Sequence, residues 1–382
     1  MSVEHLSLGI ALDGVGWHPS AWPHSAVAAQ SDLFSRAYWS SWSRRAATAG
    51  VDFVTIEDGL SLCPGLLDDD EEQVCRVRGR LDSIVLGGVL LVASDIREVV
   101  IARNITHSNP FHIASQVASL ASIAPGRVVW RPQVSADAGD AIAVGGSPTP
   151  VLQPEDIYVP TRIARRLRDL FRDAEDYIAT VRRLWATFPS DALATDDGFW
   201  RPDLVRPTSV NASRRYGAVG PLPVPVTSPP PVVVLAHHAL EPYRLAAAAA
   251  DRVFLTPTSE HPVAELVSAF RQVAALTPDA TPTALYADIA VVLGDTGAHA
   301  HHRLDELNTH AGFDWSPDTG IFVGTAESLA RELMRWHRSH GISGARLRPA
   351  VLDIDGDRIL RDLTPLLPLR TSPGLAGEGG EA

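Results

Sequence analysis

The chain has 382 residues, 45% of them hydrophobic and 20% charged, a make-up that buries a sizeable core without needing a metal or a disulfide. A net charge of −12, with no basic patch interleaved with aromatics, argues against nucleic acid as a partner. All 33 basic residues are arginine, which excludes Schiff-base lysines, pyridoxal-phosphate chemistry and Walker-A phosphate loops.

The first strand-like run is Leu6 to Leu12, followed by Asp13-Gly14 and a loop holding Trp17, His18 and Pro19. A helix is predicted over Ser31 to Ala49, a second strand over Asp52 to Glu57, and a helix over Leu81 to Ser94. Cys63 and Cys75 flank an acidic run between these elements and read as two unrelated thiols of a reducing compartment. The apolar run Ile84 to Ala93 falls well short of the roughly 20 residues that span a bilayer. The N-terminus lacks a basic segment leading into an apolar one, so a cytoplasmic protein with no membrane partner is expected.

Strand three is predicted at Glu98 to Ala102, a helix at Phe111 to Ile123, and strand four at Arg127 to Trp130. The longest helix, Thr161 to Phe188, places Ile163, Leu167, Leu170, Ala174, Ile178 and Val181 on one face. After a proline-rich stretch, Arg201 to Pro231, come strand Val232 to Ala236, helix Tyr243 to Ala250, strand Arg252 to Leu255 and helix Val263 to Leu276. Strand Leu285 to Leu293, helices His299 to His310 and Ala326 to His340, strand Ala345 to Arg348 and a last helix near Ile359 to Leu367 complete the pattern.

Eight strand-then-helix units with no hairpin signal predict an α/β fold, a single (β/α)₈ TIM barrel with loop insertions over residues 1–382. Residues 372–382 read as a disordered tail. No G-x-G-x-x-G follows the first strand, which weighs against an open dinucleotide-binding sheet. In a barrel the chemistry lies at the C-terminal ends of strands. The candidates there are Trp17 and His18, Glu57 and Asp58, Asn104, Thr106 and His107, Arg131, Gln133 and Ser135, and His237-His238. Adjacent residues of a strand point to opposite faces, so His237 and His238 do not share a metal, and the exposed-looking His299, His301 and His302 read as a solvated helix start. No metal is expected.

Several ordered segments resemble the luciferase-like flavoproteins, in particular their nitrilotriacetate and dibenzothiophene-sulfone monooxygenase branch. Trp17-His18-Pro19 resembles that branch's W-R-x-P, and Phe53-Val-Thr-Ile-Glu-Asp58 its F-x-F-L-A-D strand. His107 to Ala114 followed by Leu120 to Trp130 is similar to P-Y-x-L-A-R…L-D-x-L-S-x-G-R-x-x-W-N. Ala174-Glu-Asp-Tyr177, Ala249-Ala-Asp-Arg-Val-Phe254 and Val323-Gly-Thr-Ala-Glu327 follow in order, so the likeness runs along nearly the whole chain.

The resemblance implies a two-component monooxygenase: reduced FMN supplied by a separate flavin reductase, oxygen, a small organic substrate, and a homo-oligomer. It places Asp58, Asn104, Thr106, Arg131, Ser135 and His238 at the flavin, and Trp17 and His18 on the substrate side. Alternatives of the same fold are a deazaflavin-dependent oxidoreductase and a non-catalytic paralogue or partner subunit. The departures fall on the cofactor side. Arg131 replaces the asparagine after the strand-four tryptophan, Leu170-Phe171 replaces R-Y, and Ala236-His237-His238-Ala239 replaces the A-G-S-S that contacts phosphate.

Overall fold

The computed structural model describes residues 5–62, 79–145, 160–193, 200–208, 216–237, 239–278, 280 and 282–370. Cys63, Cys75, His238 and the 372–382 tail lie outside the described residues. Among the described residues nine parallel strands form one sheet: β1 (Ser7–Leu12), β2 (Phe53–Ile56), β3 (Glu98–Asn104), β4 (Val128–Gln133), β5 (Val233–Ala236), β6 (Arg252–Leu255), β7 (Ala284–Leu293), β8 (Ile321–Gly324) and β9 (Gly344–Pro349). The order is β4-β3-β2-β1-β9-β7-β6-β5, with β8 attached to β7.

The ends of that path meet. Trp130 forms a parallel bridge with Val232, its N–H reaching the Pro231 carbonyl at 2.9 Å, and this closes the barrel between β4 and β5. Every second residue of a parallel strand hydrogen-bonds to the same neighbour. The next N–H facing β5 would belong to position 132, and Pro132 has none, so the seam is held at one point only.

The expected eight strands account for β1–β7 and β9. The ninth, β8, falls between the expected helices His299 to His310 and Ala326 to His340, where no element is predicted. Its four residues pair only with the far half of β7, Ala290 to Leu293, where β6 has already ended. Unlike the other four-residue strands it is only half-buried over its first three residues, and it is the ten-residue length of β7 that creates a partner for it.

The helices are α1 (Arg36–Thr48), α2 (Ser83–Ala93), α3 (Pro110–Ile123), α4 (Ala138–Ala143), α5 (Pro160–Trp185), α6 (Leu240–Ala249), α7 (Val263–Ala275), α8 (Gly297–Ala311) and α9 (Ala326–His340). The first helix begins later than Ser31 because Ser35 is its N-cap, its hydroxyl accepting the Tyr38 N–H, while Gln30–Phe34 form a separate short turn. Pro110 opens α3 behind the Asn109 cap, a position where its missing N–H costs nothing. The final expected helix is present and begins earlier, as a continuous helical run from Leu352 to Leu366 that is mostly π-helical and ends in a 3-10 turn. Among the described residues no helix is long and apolar enough to cross a membrane.

Strand residues of alternating parity face the helices and the lumen. Leu8, Ile10 and Leu12, Val54 and Ile56, and Val99 and Ile101 join the helix-side core. Phe53, Val100, Val129, Val233, Phe254 and Tyr286 pack on one another inside the barrel. The rings of Phe53 and Phe254 stack with centroids 6.1 Å apart, and Tyr286 meets both edge-on. These rings need bare backbone opposite them: a Cβ on Gly9 would fall 2.0 Å from the Phe53 ring, and one on Gly344 would fall 2.5 Å from the Tyr286 ring.

Candidate active site at the barrel mouth

Following the lumen-facing positions toward the C-terminal ends of the strands, the side chains change from aromatic to charged. Phe53 is succeeded by Thr55 and Glu57, Val129 by Arg131 and Gln133, Tyr286 by Asp288, and Gly344 by Arg346 and Arg348. Arg346 and Asp288 have no exposed surface, Arg348 retains 2% and Arg131 3%. A buried guanidinium is costly unless paired, and each of these is paired.

Arg131 and Arg346 hold the two oxygens of Glu57 between them. Arg346 donates from Nε to Thr55 Oγ1 at 2.9 Å and from Nη1 to Asp288 Oδ2 at 2.9 Å. Arg348 donates from Nε to Asp288 Oδ1 at 2.9 Å, also binds Oδ2, and reaches outward to Asp318. Asp318 in turn lies 3.7 Å from His237 Nε2. Burial opposes the charge on Glu57, but the guanidiniums of Arg131, Arg346 and Arg348 outweigh it and hold the carboxyl below its ordinary range.

Trp17 roofs this lattice, with Arg348 4.7 Å and Arg346 5.2 Å from its ring centre, and its indole N–H is anchored on the Ala11 carbonyl at 3.1 Å. A cavity of about 220 Å³ opens above, walled by Trp17, Val134, Phe171 and Leu245. Two residues that line it each hold a buried polar atom with no hydrogen-bond partner among the described residues, Arg131 Nε and Gln133 Oε1. A larger cleft of about 840 Å³ lies behind β7, where Ile289 points to the opposite face from Asp288. Of its charged residues Glu332 and Arg335 are one turn apart on α9 and bind each other, and Glu260 is exposed, so the converging polar groups, not the volume, make the mouth the candidate site.

The predicted site residues separate into three groups. Trp17 and Arg131 lie at the mouth as described. Asp58, Asn104, Thr106 and Ser135 come together beside it, bonded mainly to one another and to Asp140. Asp58 accepts the Asn104 backbone N–H at 2.8 Å and a bond from Arg103 at 3.2 Å; burial raises its carboxyl above the ordinary value despite both. Asn104 Nδ2 and Ser135 Oγ donate to Asp140 Oδ2 at 3.0 and 2.8 Å, and Thr106 Oγ1 accepts the Ser135 N–H at 2.9 Å. This cluster ties together the loops after β2, β3 and β4.

His18 departs from expectation. Its ring turns away from the mouth onto Trp315, bonds Asn308 Oδ1 at 3.1 Å and accepts the Ser20 N–H at 3.0 Å. Burial pushes its pKa down to about 4, so the ring is a neutral packing group. Trp17 and His18 lie in the loop after β1, and there the His18 ring is held by Asn308 of α8 and by Trp315. His237 is half-exposed at the lip, and His299, His301 and His302 are exposed at the start of α8.

Sequence reasoning missed Asp288, Arg346, Arg348 and Asp318. The first three carried a signal: an aspartate inside the apolar run Ala284–Leu293 and two arginines two apart in Gly344–Pro349. Asp318 arrives from the loop before β8 and carried none.

A family model described as luciferase-like monooxygenase matches residues 15–364. N-acetyl-S-(2-succino)cysteine monooxygenase of Bacillus subtilis (strain 168) is 24% identical over 311 residues, 80% of this chain and 65% of that protein. Dibenzothiophene-sulfone monooxygenase of Rhodococcus erythropolis (strain XP) is 26% identical over 326 residues, again 80% of this chain and 65% of that one. This chain therefore spans slightly less than two thirds of the length of either relative. EDTA monooxygenase from Chelativorans sp. BNC1 superposes with a TM-score of 0.76 over 95% of this chain and 93% of its own, at 16% identity, which speaks for the shared barrel. On the extent of the family match, this chain belongs to the luciferase-like monooxygenases.

Proposed function

We propose that the protein is a flavin-dependent monooxygenase that uses reduced FMN, delivered by a separate reductase, to oxygenate a small organic substrate. Besides membership of the family, one observation carries the reading. At the mouth a buried guanidinium N–H (Arg131) and a buried amide oxygen (Gln133), two residues apart on the same face of β4, have no partner among the described residues. An acceptor beside a donor on a flat ring would satisfy both, and the pyrimidine edge of an isoalloxazine offers that pair.

The residues present fit the group in this respect. Arg131 and Gln133 would hold the polar edge of the ring, Phe171 and Leu245 its apolar face, and His238 would lie toward the phosphate. Asp58, Asn104, Thr106 and Ser135 would brace the wall through the Asp140 cluster. FMN when bound supplies the oxygen-activating chemistry. The protein's share is to bind, orient and keep water out, which an apolar-walled cavity above a fixed charge lattice suits. Trp17 would close the substrate side. A cytoplasmic homo-oligomer is part of the same proposal.

Anaerobic titration of the purified protein with reduced FMN, oxidised FMN and a deazaflavin tests it. Submicromolar binding of reduced FMN, weakened at least about tenfold by Arg131→Leu, is expected, because a charge-assisted bond of roughly 1.5–3 kcal/mol is removed. Preference for the deazaflavin would assign the chain to the other cofactor. Binding of none would leave a non-catalytic partner subunit.

A further inference from the structure

We propose that the substrate is a small apolar carboxylate, whose acid group takes the place of the Asp318 side chain on Arg348 beneath Trp17. This names the substrate class for the monooxygenase reading above and rests on it.

The charge count at the mouth supports it. Three buried guanidiniums, Arg131, Arg346 and Arg348, face two inner carboxylates, Glu57 and Asp288. The floor therefore carries one excess positive charge. Asp318 balances it from the lip, and its position differs from that of the other two acids. Asp288 is fully buried and Glu57 is 12% exposed, whereas the Asp318 side chain is 46% exposed and hangs from the loop before β8.

Arg348 is buried but the Asp318 carboxylate is half in water, so water competes for the acid and the acid is the exchangeable member of the pair. Arg348 keeps its bidentate grip on Asp288 whichever anion occupies its outer nitrogen. That outer nitrogen, Nη1, is thus an anion position filled by a replaceable carboxylate of the chain itself. A guanidinium binds a planar carboxylate in a fork geometry, and Asp318 shows that this position accepts one.

The rest of the cavity indicates what the acid is attached to. Trp17 covers Arg348 at 4.7 Å, and Val134, Val234 and Leu235 line the cavity apart from the Phe171 and Leu245 face left to the flavin, so the remainder of the molecule is apolar. The division of labour is consistent: Arg131 and Gln133 on β4 serve the cofactor side, and Trp17, Arg348 and Asp318 serve the substrate side.

Calorimetric titration with benzoate and with its uncharged counterpart benzamide, in the absence of any flavin, tests the proposal. Benzoate is expected to bind at one site per chain, at least about tenfold tighter than benzamide, as one charge-assisted bond implies. Asp318→Asn removes the competing charge while keeping the shape, and should tighten benzoate about threefold to tenfold without changing benzamide. Equal affinity for the two probes, no benzoate binding, or an unchanged or weakened benzoate affinity in Asp318→Asn each overturns it. The comparison of probes on the unaltered protein does not depend on the variant folding. Since no flavin is present, benzoate binding alongside failed flavin binding would refute the cofactor reading alone, and the reverse result would refute only the substrate class.

Discussion

Arg346 is the residue on which the mouth depends. It joins Glu57 to Asp288, bonds Thr55 and lies under Trp17, with no surface left to water. Its guanidinium cannot shed its charge at any working pH, so the arrangement is permanent in a way a lysine would not guarantee. Replacing one member of a buried ion cluster leaves its partners charged and unsolvated. Arg346→Leu is expected to cost about 3–5 kcal/mol of folding free energy in urea unfolding. A loss below about 1 kcal/mol would mean that water reaches the lattice and that the mouth is not dry. Such clusters are weak evidence for stability as a purpose, because apolar residues fill a lumen at lower cost. Their concentration at the C-terminal ends of the strands, above a wholly apolar layer, is what points to function.

At the scale of elements, α2 shows how a segment with poor intrinsic preference is held in place. It contains no charged residue and includes Gly87 and Gly88, each of which disfavours a helix interior by roughly 0.5–1 kcal/mol. Gly87 is there because β3 comes close: a Cβ would lie 2.7 Å from Ile101 Cδ1. The Asp82 cap compensates, accepting the N–H groups of Ile84 and Val85 at 3.0 Å each while pairing with Arg103 at 2.7 Å. Asp82→Ala should cost about 1–2 kcal/mol in thermal or urea unfolding, and Asp82→Ser should recover most of it by restoring the cap. If serine rescues nothing, the Arg103 pair rather than the cap is what matters. The β4–β5 seam follows the same logic from the opposite direction, since Pro132 withholds the bond that would extend it.

For the whole molecule, closure is the controlling fact. The first strand lies between β2 and the last, with Ser7 to Ile10 paired to Gly344 to Leu347 and the Ser7 N–H on the Ser343 carbonyl at 3.0 Å. Residues at the two ends of the sequence thus share one sheet, and Arg346 reaches Glu57 across 289 positions of chain. A chain ended after Gly341 loses β9, exposes the edges of β1 and β7 and removes two of the three guanidiniums of the charge lattice. It is expected to show no cooperative unfolding transition by circular dichroism in urea. A truncated form that melts sharply would point to two separately cored halves.

The alternation of apolar runs and amphipathic stretches by itself determined the fold class and eight of the nine strands, because parallel strands buried on both faces and helices with one wet face write their periods into the local sequence. Trp17 and Arg131 were legible for the same reason: they stand at strand ends. Only the tertiary structure decided which strand-end side chains turn inward together. His18 and Trp17 are neighbours in sequence but make different contacts, His18 with Asn308 and Trp315 and Trp17 with Arg346 and Arg348, while Asn104 and Ser135 spend their side-chain hydrogen bonds on Asp140. Charge pairing across a barrel has no period along the chain. The partners of Arg348 come from β7 and from a loop before β8, and nothing in their local sequence records that a closed sheet would bring them within hydrogen-bonding distance.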